Sequence, residues 1–154
     1  MTAARPWLRA GLVLGAVVLV DQVSKRIVDH SVAPGESRSV FPGLHIVHVT
    51  NKGVAFGALA GGHTLVLIVI AIAVAALLIY FVRHAQRPLV WLPTGLLIGG
   101  ALGNIFDRVR AGAVTDFIKL PWWPAFNLAD VSITLGVLTL LYVFEQGGKE
   151  RRGD

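Results

Sequence analysis

Three aspartates crowd the C-terminal third of the chain: Asp107, Asp116 and Asp130. They lie in residues 99–133, GGALGNIFDRVRAGAVTDFIKLPWWPAFNLADVSI, with Arg108 and the polar side chains Asn104, Thr115 and Asn127 among them. That stretch leaves one apolar run and enters the next. A carboxylate at bilayer depth costs at least about 2.5 kcal/mol, so such groups are rare without a role. Two aspartates a few ångströms apart cannot both ionise easily, and one holds a proton near neutral pH. One then activates water while its partner protonates a scissile carbonyl or departing amine, and the two titrate as a coupled pair. Such hydrolysis needs no cofactor and no metal. Asp116 and Asp130 flank the Trp-rich connector, where a substrate can enter between them. Asp107, immediately before Arg108, reads instead as part of an Asp–Arg structural network.

Other chemistries find less support. The chain has no cysteine, which removes disulfides, thiolate nucleophiles and Cys-type zinc sites. The five histidines are scattered, no His-Glu-x-x-His helix is present, and His45 with His48 lacks further ligands. No Gly-x-Ser-x-Gly elbow exists, and Ser24 cannot share a helix face with Lys25. Ser132 and Thr134 read as backbone or interhelical hydrogen-bonders.

The elements that must position these acids are mostly membrane spans. Hydrophobic residues make up 55% of the 154 and charged ones only 15%, against about 25% charged in soluble domains; the mean hydropathy is +0.68. The net charge is +5, but the basic residues flank apolar runs and form no stripe. They point to a membrane surface and not to nucleic acid. Arg5 and Arg9 before the uncharged run Ala10–Val20 resemble a signal sequence, yet no small-x-small cleavage site follows. A retained span over about 7–28 fits better, with Asp21 and Lys25 as a helical pair in its last third. That pair is either snorkelling at the interface or supporting a site.

Three more spans follow, over about 65–82, 89–106 and 128–144. Leu65–Val82 carries no charge. The third has a small-residue face of Gly95, Gly99, Gly100 and Gly103, which permits close helix contact or leaves room for a substrate helix. Residues 29–63 and 107–127 lie together on the opposite side from both termini. In the first of these, Leu44–Thr50 is rich in β-branched residues and reads as a strand of a small sheet on the membrane, followed by the glycine-bearing turn NKGVAFG. In the second, Trp122 and Trp123 between prolines suit the headgroup layer and anchor a short interfacial element. Residues 147–152 read as a solvated tail. The fold expected is an all-α membrane protein in one domain, with four transmembrane helices and a small β-element.

Lys and Arg near the span ends do not orient it. Arg5, Arg9, Arg83, Arg87, Lys149, Arg151 and Arg152 stand on one side against Lys25, Arg26, Arg38, Lys52, Arg108, Arg110 and Lys119 on the other, and only the dense loop Arg83–Pro88 tilts the balance toward termini inside. Four-span geometry nevertheless brings Asp21, Lys25, Asn51, Asn104, Asp107, Arg108, Asp116, Asn127 and Asp130 to one membrane face. A proton or ion relay would space polar groups through the bilayer, and a structural subunit would need no such cluster.

The blocks DQVSK (21–25), NKGVAF (51–56), GGALGNIFDR (99–108), VTDF (114–117) and FNLADVSI (126–133) resemble, in order, the motifs of bacterial lipoprotein signal peptidase, signal peptidase II. The resemblance covers nearly the whole chain. It implies a four-helix inner-membrane aspartyl endopeptidase with an extracytoplasmic β-cradle and both termini cytoplasmic. Such an enzyme removes the signal peptide of diacylglyceryl-modified prolipoproteins by cutting before the lipid-bearing cysteine. By motif position Asp116 and Asp130 are the catalytic pair, and Asn51, Gly53, Asn104, Arg108 and Asn127 line the site. Asp21, Lys25 and Asp107 support it. The resemblance further implies inhibition by globomycin-type cyclic peptides in a groove between cradle and helices. The partners expected are the lipidated precursors and membrane lipids around a monomer.

Overall fold

The computed structural model describes residues 4–52 and 62–152. Four helices and three strands follow one another: α1 (Ala4–Ser31), β1 (Ser37–Phe41), β2 (Leu44–Asn51), α2 (Gly62–His84), α3 (Trp91–Ala111), β3 (Val114–Lys119) and α4 (Leu128–Arg152). With its 28 residues, α1 is about 42 Å long. Two helices are long and apolar enough to cross a membrane by length and composition, over Leu67–His84 and Leu128–Gly147. The other two carry Asp21, Lys25, Asp107 and Arg108, the charges that gather at the site. Large apolar side chains point outward from all four helices, among them Leu12, Ile72, Val109 and Leu138.

The glycine stripe of α3 sets the packing. A Cβ on Gly95 would stand 2.7 Å from the Ala10 carbonyl, on Gly99 2.9 Å from Val17 Cβ, and on Gly103 2.6 Å from Asp21 Oδ2. At four-residue spacing these glycines form one face, against which α1 packs backbone to side chain. Gly100 points the other way, where a Cβ would meet the Ala129 carbonyl at 2.6 Å on α4. Resident helices therefore fill the space the glycines open, and no room is left there for a substrate helix.

The three strands form one antiparallel sheet in the order β1-β2-β3. Gly43, at φ 84°, makes the tight turn between β1 and β2. Phe117 of β3 packs with Val28 and Val32 at the end of α1, which seats the sheet on the helices.

Three boundaries differ from the sequence expectation. Helix α3 runs past residue 106 to Ala111 and stops at Gly112, which takes the left-handed conformation (φ 72°) and donates its N–H to the Arg108 carbonyl. Asp107 and Arg108 thus sit on the helix and not in the connector. The connector is itself largely a strand, since β3 covers the VTDF block. At the end of the chain the expected solvated tail continues α4 to Arg152. The paired tryptophans lie in a turn, Trp123 N–H donating to the Leu120 carbonyl, with Trp122 99% exposed.

Candidate active site

Asn127 holds the two acids in one arrangement. It precedes the first residue of α4 and caps it: its Oδ1 accepts the Asp130 N–H at 3.0 Å, while Asp130 Oδ2 accepts the Asn127 N–H at 3.2 Å. This is the reciprocal pattern of a capping box, with Asp in the place usual for Glu. The motif N-L-A-D therefore folds as a helix start and fixes the Asp130 carboxylate in the same step. The Asn127 side-chain nitrogen is left to reach Asp116 Oδ1 at 2.7 Å and Asn104 Oδ1 at 3.1 Å.

Asp116 comes from the middle of β3, opposite Val49 of β2. Strand alternation turns Asp116 and Val114 to one face and Thr115 to the other. Asp116 Oδ2 accepts from Asn51 Nδ2, at the end of β2, at 3.0 Å. Burial pushes the Asp116 carboxyl above its ordinary range; the Asn51 hydrogen bond opposes this, the neighbouring Asp130 charge adds to it, and Asn127 and Lys25 oppose it. A carboxyl so placed tends to keep its proton. Both carboxylates accept from Asn127, which brings the two acids to one residue.

Beneath the pair lies a buried polar base. Asn104, one turn before the α3 charges, donates from Nδ2 to Asp130 Oδ1 at 2.8 Å and accepts from Lys25 Nζ at 3.0 Å. Lys25 Nζ also lies 2.8 Å from Asp21 Oδ2 and 2.7 Å from Asp107 Oδ2. All three of its N–H donors are engaged. Asp21 closes the circuit by accepting the Ala129 N–H at 2.9 Å, a second contact with the first turn of α4. Asp21 and Lys25 are 0% and 3% exposed, which excludes the snorkelling alternative for this pair.

The site residues fall into place unequally. Asp21, Lys25, Asn51, Asn104, Asp107, Asp116, Asn127 and Asp130 form one connected network. Gly53 lies outside the described residues. Among the described residues Arg108 joins through one bond, Nη1 to the Asn104 carbonyl at 3.3 Å, and its buried Nε meets no partner there. The expected Asp–Arg network is corrected: Asp107 pairs with Lys25 across the α1–α3 interface, because a residue and its sequence neighbour point to different sides of a helix. Thr115, named with the polar partners, instead faces Asp29, donating to its Oδ1 at 3.4 Å. Gln22 was missed; its Nε2 donates to Asp107 Oδ1 at 2.8 Å and to the Gly103 carbonyl at 3.3 Å. No sequence signal singles it out beyond its place between Asp21 and Lys25. His45 and His48 lie in β2, and His48 Nε2 stands 3.3 Å from Asp29 Oδ1, where β2 meets α1.

A groove of about 520 Å³ opens beside Asp130, walled by Leu120, Trp123 and Phe126 on one side and Asp130, Val131, Thr134 and Leu135 on the other. It is apolar except at the Asp130 end and lies between the sheet connector and α4.

A family profile described as Signal peptidase (SPase) II matches residues 13–145. The chain belongs to the signal peptidase II family. A lipoprotein signal peptidase of Syntrophomonas wolfei is 46% identical over 138 residues, 88% of this chain and 93% of the relative. That of Halothermothrix orenii is 39% identical, covering 93% and 98% of the two chains. Two bacterial membrane enzymes solved by the in meso method superpose with TM-scores of 0.83 and 0.82, at 38% and 36% identity. The first covers 88% of this chain and 91% of its own, the second 92% and 90%. As a member of that family the chain is a membrane peptidase that processes lipoproteins.

Proposed function

We propose that the chain is an aspartyl endopeptidase that cuts diacylglyceryl-modified prolipoproteins immediately before the lipid-bearing cysteine, with Asp116 and Asp130 as its catalytic pair. The observation that carries this reading is the grip of Asn127 on both carboxylates, its backbone N–H donating to Asp130 Oδ2 and its Nδ2 to Asp116 Oδ1. All four helices cross the membrane in this reading, α1 and α3 pairing Asp21, Lys25 and Asp107 where they meet. The termini are cytoplasmic and the sheet lies on the extracytoplasmic face of the inner membrane.

In the resting pair Asp116 holds the proton, consistent with the upward push of burial on its carboxyl. Asp130 accepts a proton from water, whose oxygen attacks the scissile carbonyl carbon. Asp116 gives its proton to the carbonyl oxygen, so a neutral gem-diol forms without a free oxyanion. The proton on Asp130 then passes to the amide nitrogen as the C–N bond breaks. A gem-diol hydroxyl returns its proton to Asp116, leaving the signal peptide's carboxylic acid, the cysteine's amine and the starting pair.

A lipidated signal helix diffuses laterally and presents its cleavage site at headgroup depth. The apolar groove ending at Asp130 suits the residues around the scissile bond, and it is where a globomycin-type cyclic peptide would compete. Arg108, with a buried donor unpartnered among the described residues, holds a substrate carbonyl or lipid ester in this reading. By motif position Asn51 and Gly53 also line the site, and the enzyme acts as a monomer.

The test incubates purified protein in detergent with lipidated and unlipidated precursors, with and without chelator. Cleavage of the lipidated form alone, indifferent to chelator, is expected. Cleavage of both forms, or of neither, overturns the substrate assignment, and loss on chelation overturns the aspartyl mechanism.

A further inference from the structure

On the side of α1 and α3 away from the groove at Asp130, two cavities stack end to end. The lower, about 650 Å³, is an apolar channel between the helices, walled by Leu14, Val18 and Leu19 on α1 and by Leu102, Ile105 and Phe106 on α3. Gly15 widens it, since nothing lies within 4 Å of where a Cβ would stand. The upper, about 400 Å³, is polar and includes Arg26, Asp29, His30 and Arg110 in its lining. Gln22 and Arg26 line both, so the two form one amphiphilic site.

The charges of the upper part are not equivalent. Lys25 and Asp107 form its floor and are paired with each other at 2.7 Å. Asp29 is held by Thr115 and stands 3.3 Å from His48. Arg26 and Arg110, both exposed, make no ion pair among the described residues. Two unpaired guanidiniums from the C-terminal halves of neighbouring helices match a single phosphodiester, which arginine binds through paired N–H donors. The channel below them runs along the helices, in the direction an acyl chain takes in a bilayer.

We propose that this site holds a diacyl glycerophospholipid, its phosphate between Arg26 and Arg110 and one acyl chain in the channel past Gly15. The proposal needs α1 and α3 to lie in a bilayer and is otherwise independent of the peptidase chemistry. It also separates a resident lipid from the substrate's own diacylglyceryl group, which carries no phosphate. A further consequence concerns the site's floor: a bound headgroup caps the Lys25–Asp107 pair and screens it from water.

The test titrates delipidated protein in detergent with phosphatidylglycerol, diacylglycerol or glycerol 3-phosphate, read by native mass spectrometry and by the melting midpoint. Phosphatidylglycerol is expected to be retained and to raise the midpoint, with diacylglycerol weaker and glycerol 3-phosphate without effect. Arg26→Gln and Arg110→Gln should each weaken retention roughly fivefold, and Gly15→Phe should weaken it with every charge in place. Arg83→Gln, at the other end of the molecule, should leave retention as in the parent. Each variant's midpoint in detergent alone reports its folding. Equal retention of diacylglycerol and phosphatidylglycerol, retention of glycerol 3-phosphate alone, or indifference to both arginine substitutions in folded protein overturns the proposal.

Discussion

Asn127 and Asp130 hold each other in both directions, the asparagine side chain accepting from the aspartate's N–H at 3.0 Å and the aspartate accepting from the asparagine's N–H at 3.2 Å. A helix cap and an acid's orientation are therefore one structural event. Asn127→Ala would remove the cap, worth about 1 kcal/mol, and also the amide that ties Asp116 to the same residue. We expect a modest fall in melting midpoint with a far larger fall in cleavage rate. A variant that loses stability but cleaves normally would show that the cap alone is what Asn127 supplies.

Asp116→Asn and Asp130→Asn should each lower cleavage of a lipidated precursor by about 10²–10⁴-fold while leaving a folded protein, as expected when an acid or base is removed. Asp107→Asn should retain partial activity, because Asp107 touches Lys25 and Gln22 and neither member of the pair. Complete loss of turnover in a folded Asp107→Asn variant with substrate still bound would reassign the pair.

Activity should fall as pH rises through the elevated pKa of Asp116, since the mechanism needs that carboxyl protonated. The Asn51 hydrogen bond favours its ionised form. Asn51→Ala should accordingly move the alkaline limb of the rate profile to higher pH. Linkage adds a stability effect of matching sign. With the folded pKa raised, the contribution of Asp116 is fully present below its unfolded pKa and is lost as pH rises through the folded one. A limb that moves down in Asn51→Ala contradicts the assignment of the proton to Asp116.

Lys25→Met should cost about 3–5 kcal/mol, because it leaves Asp21 and Asp107 buried without a cation. The melting midpoint in detergent is the measure. Addition of Asp107→Asn should restore part of the loss, and a purely additive pair would deny the coupling.

Gly103→Ala places a methyl 2.6 Å from Asp21 Oδ2, whereas Gly11→Ala meets nothing within 4 Å. Overpacking of about 1–3 kcal/mol is expected for the first and little for the second. Equal midpoints would mean that α1 can withdraw from α3 at small cost.

Much of this was legible in the chain because membrane burial makes charges conspicuous. The site acids, the three asparagines and the Asp21–Lys25 pair stood out as polar residues beside apolar runs, and the glycine spacing announced a helix contact. What it contacts did not follow, because a four-residue repeat has no partner written into it. Strand β3 escaped notice because it is short and carries an aspartate, a residue depleted in strands; only its pairing with β2 makes it one. The third span was ended at residue 106, where the charges Asp107, Arg108 and Arg110 begin. The helix continues because Lys25 meets Asp107, and Gly112 was the true stop signal. At the chain's end Gly147 and Gly148 suggested an end to α4 that does not occur.

Lysine has no acceptor, and from this the asymmetry of Asn104 follows. Facing Lys25, the amide must turn its oxygen inward, so its NH₂ is the only end that Asp130 can meet. The Lys25 cation and the Asn127 amide, both donating to Asn104 Oδ1, thus decide the polarity of what touches Asp130. Were Lys25 exchanged for a side chain able to accept, the Asn127 amide alone would hold that oxygen in place. A half-turn of Asn104 would confront Asp130 with a lone pair, tolerable only with a proton between them, and the base proposed to activate water would be silenced without any change to its own residue.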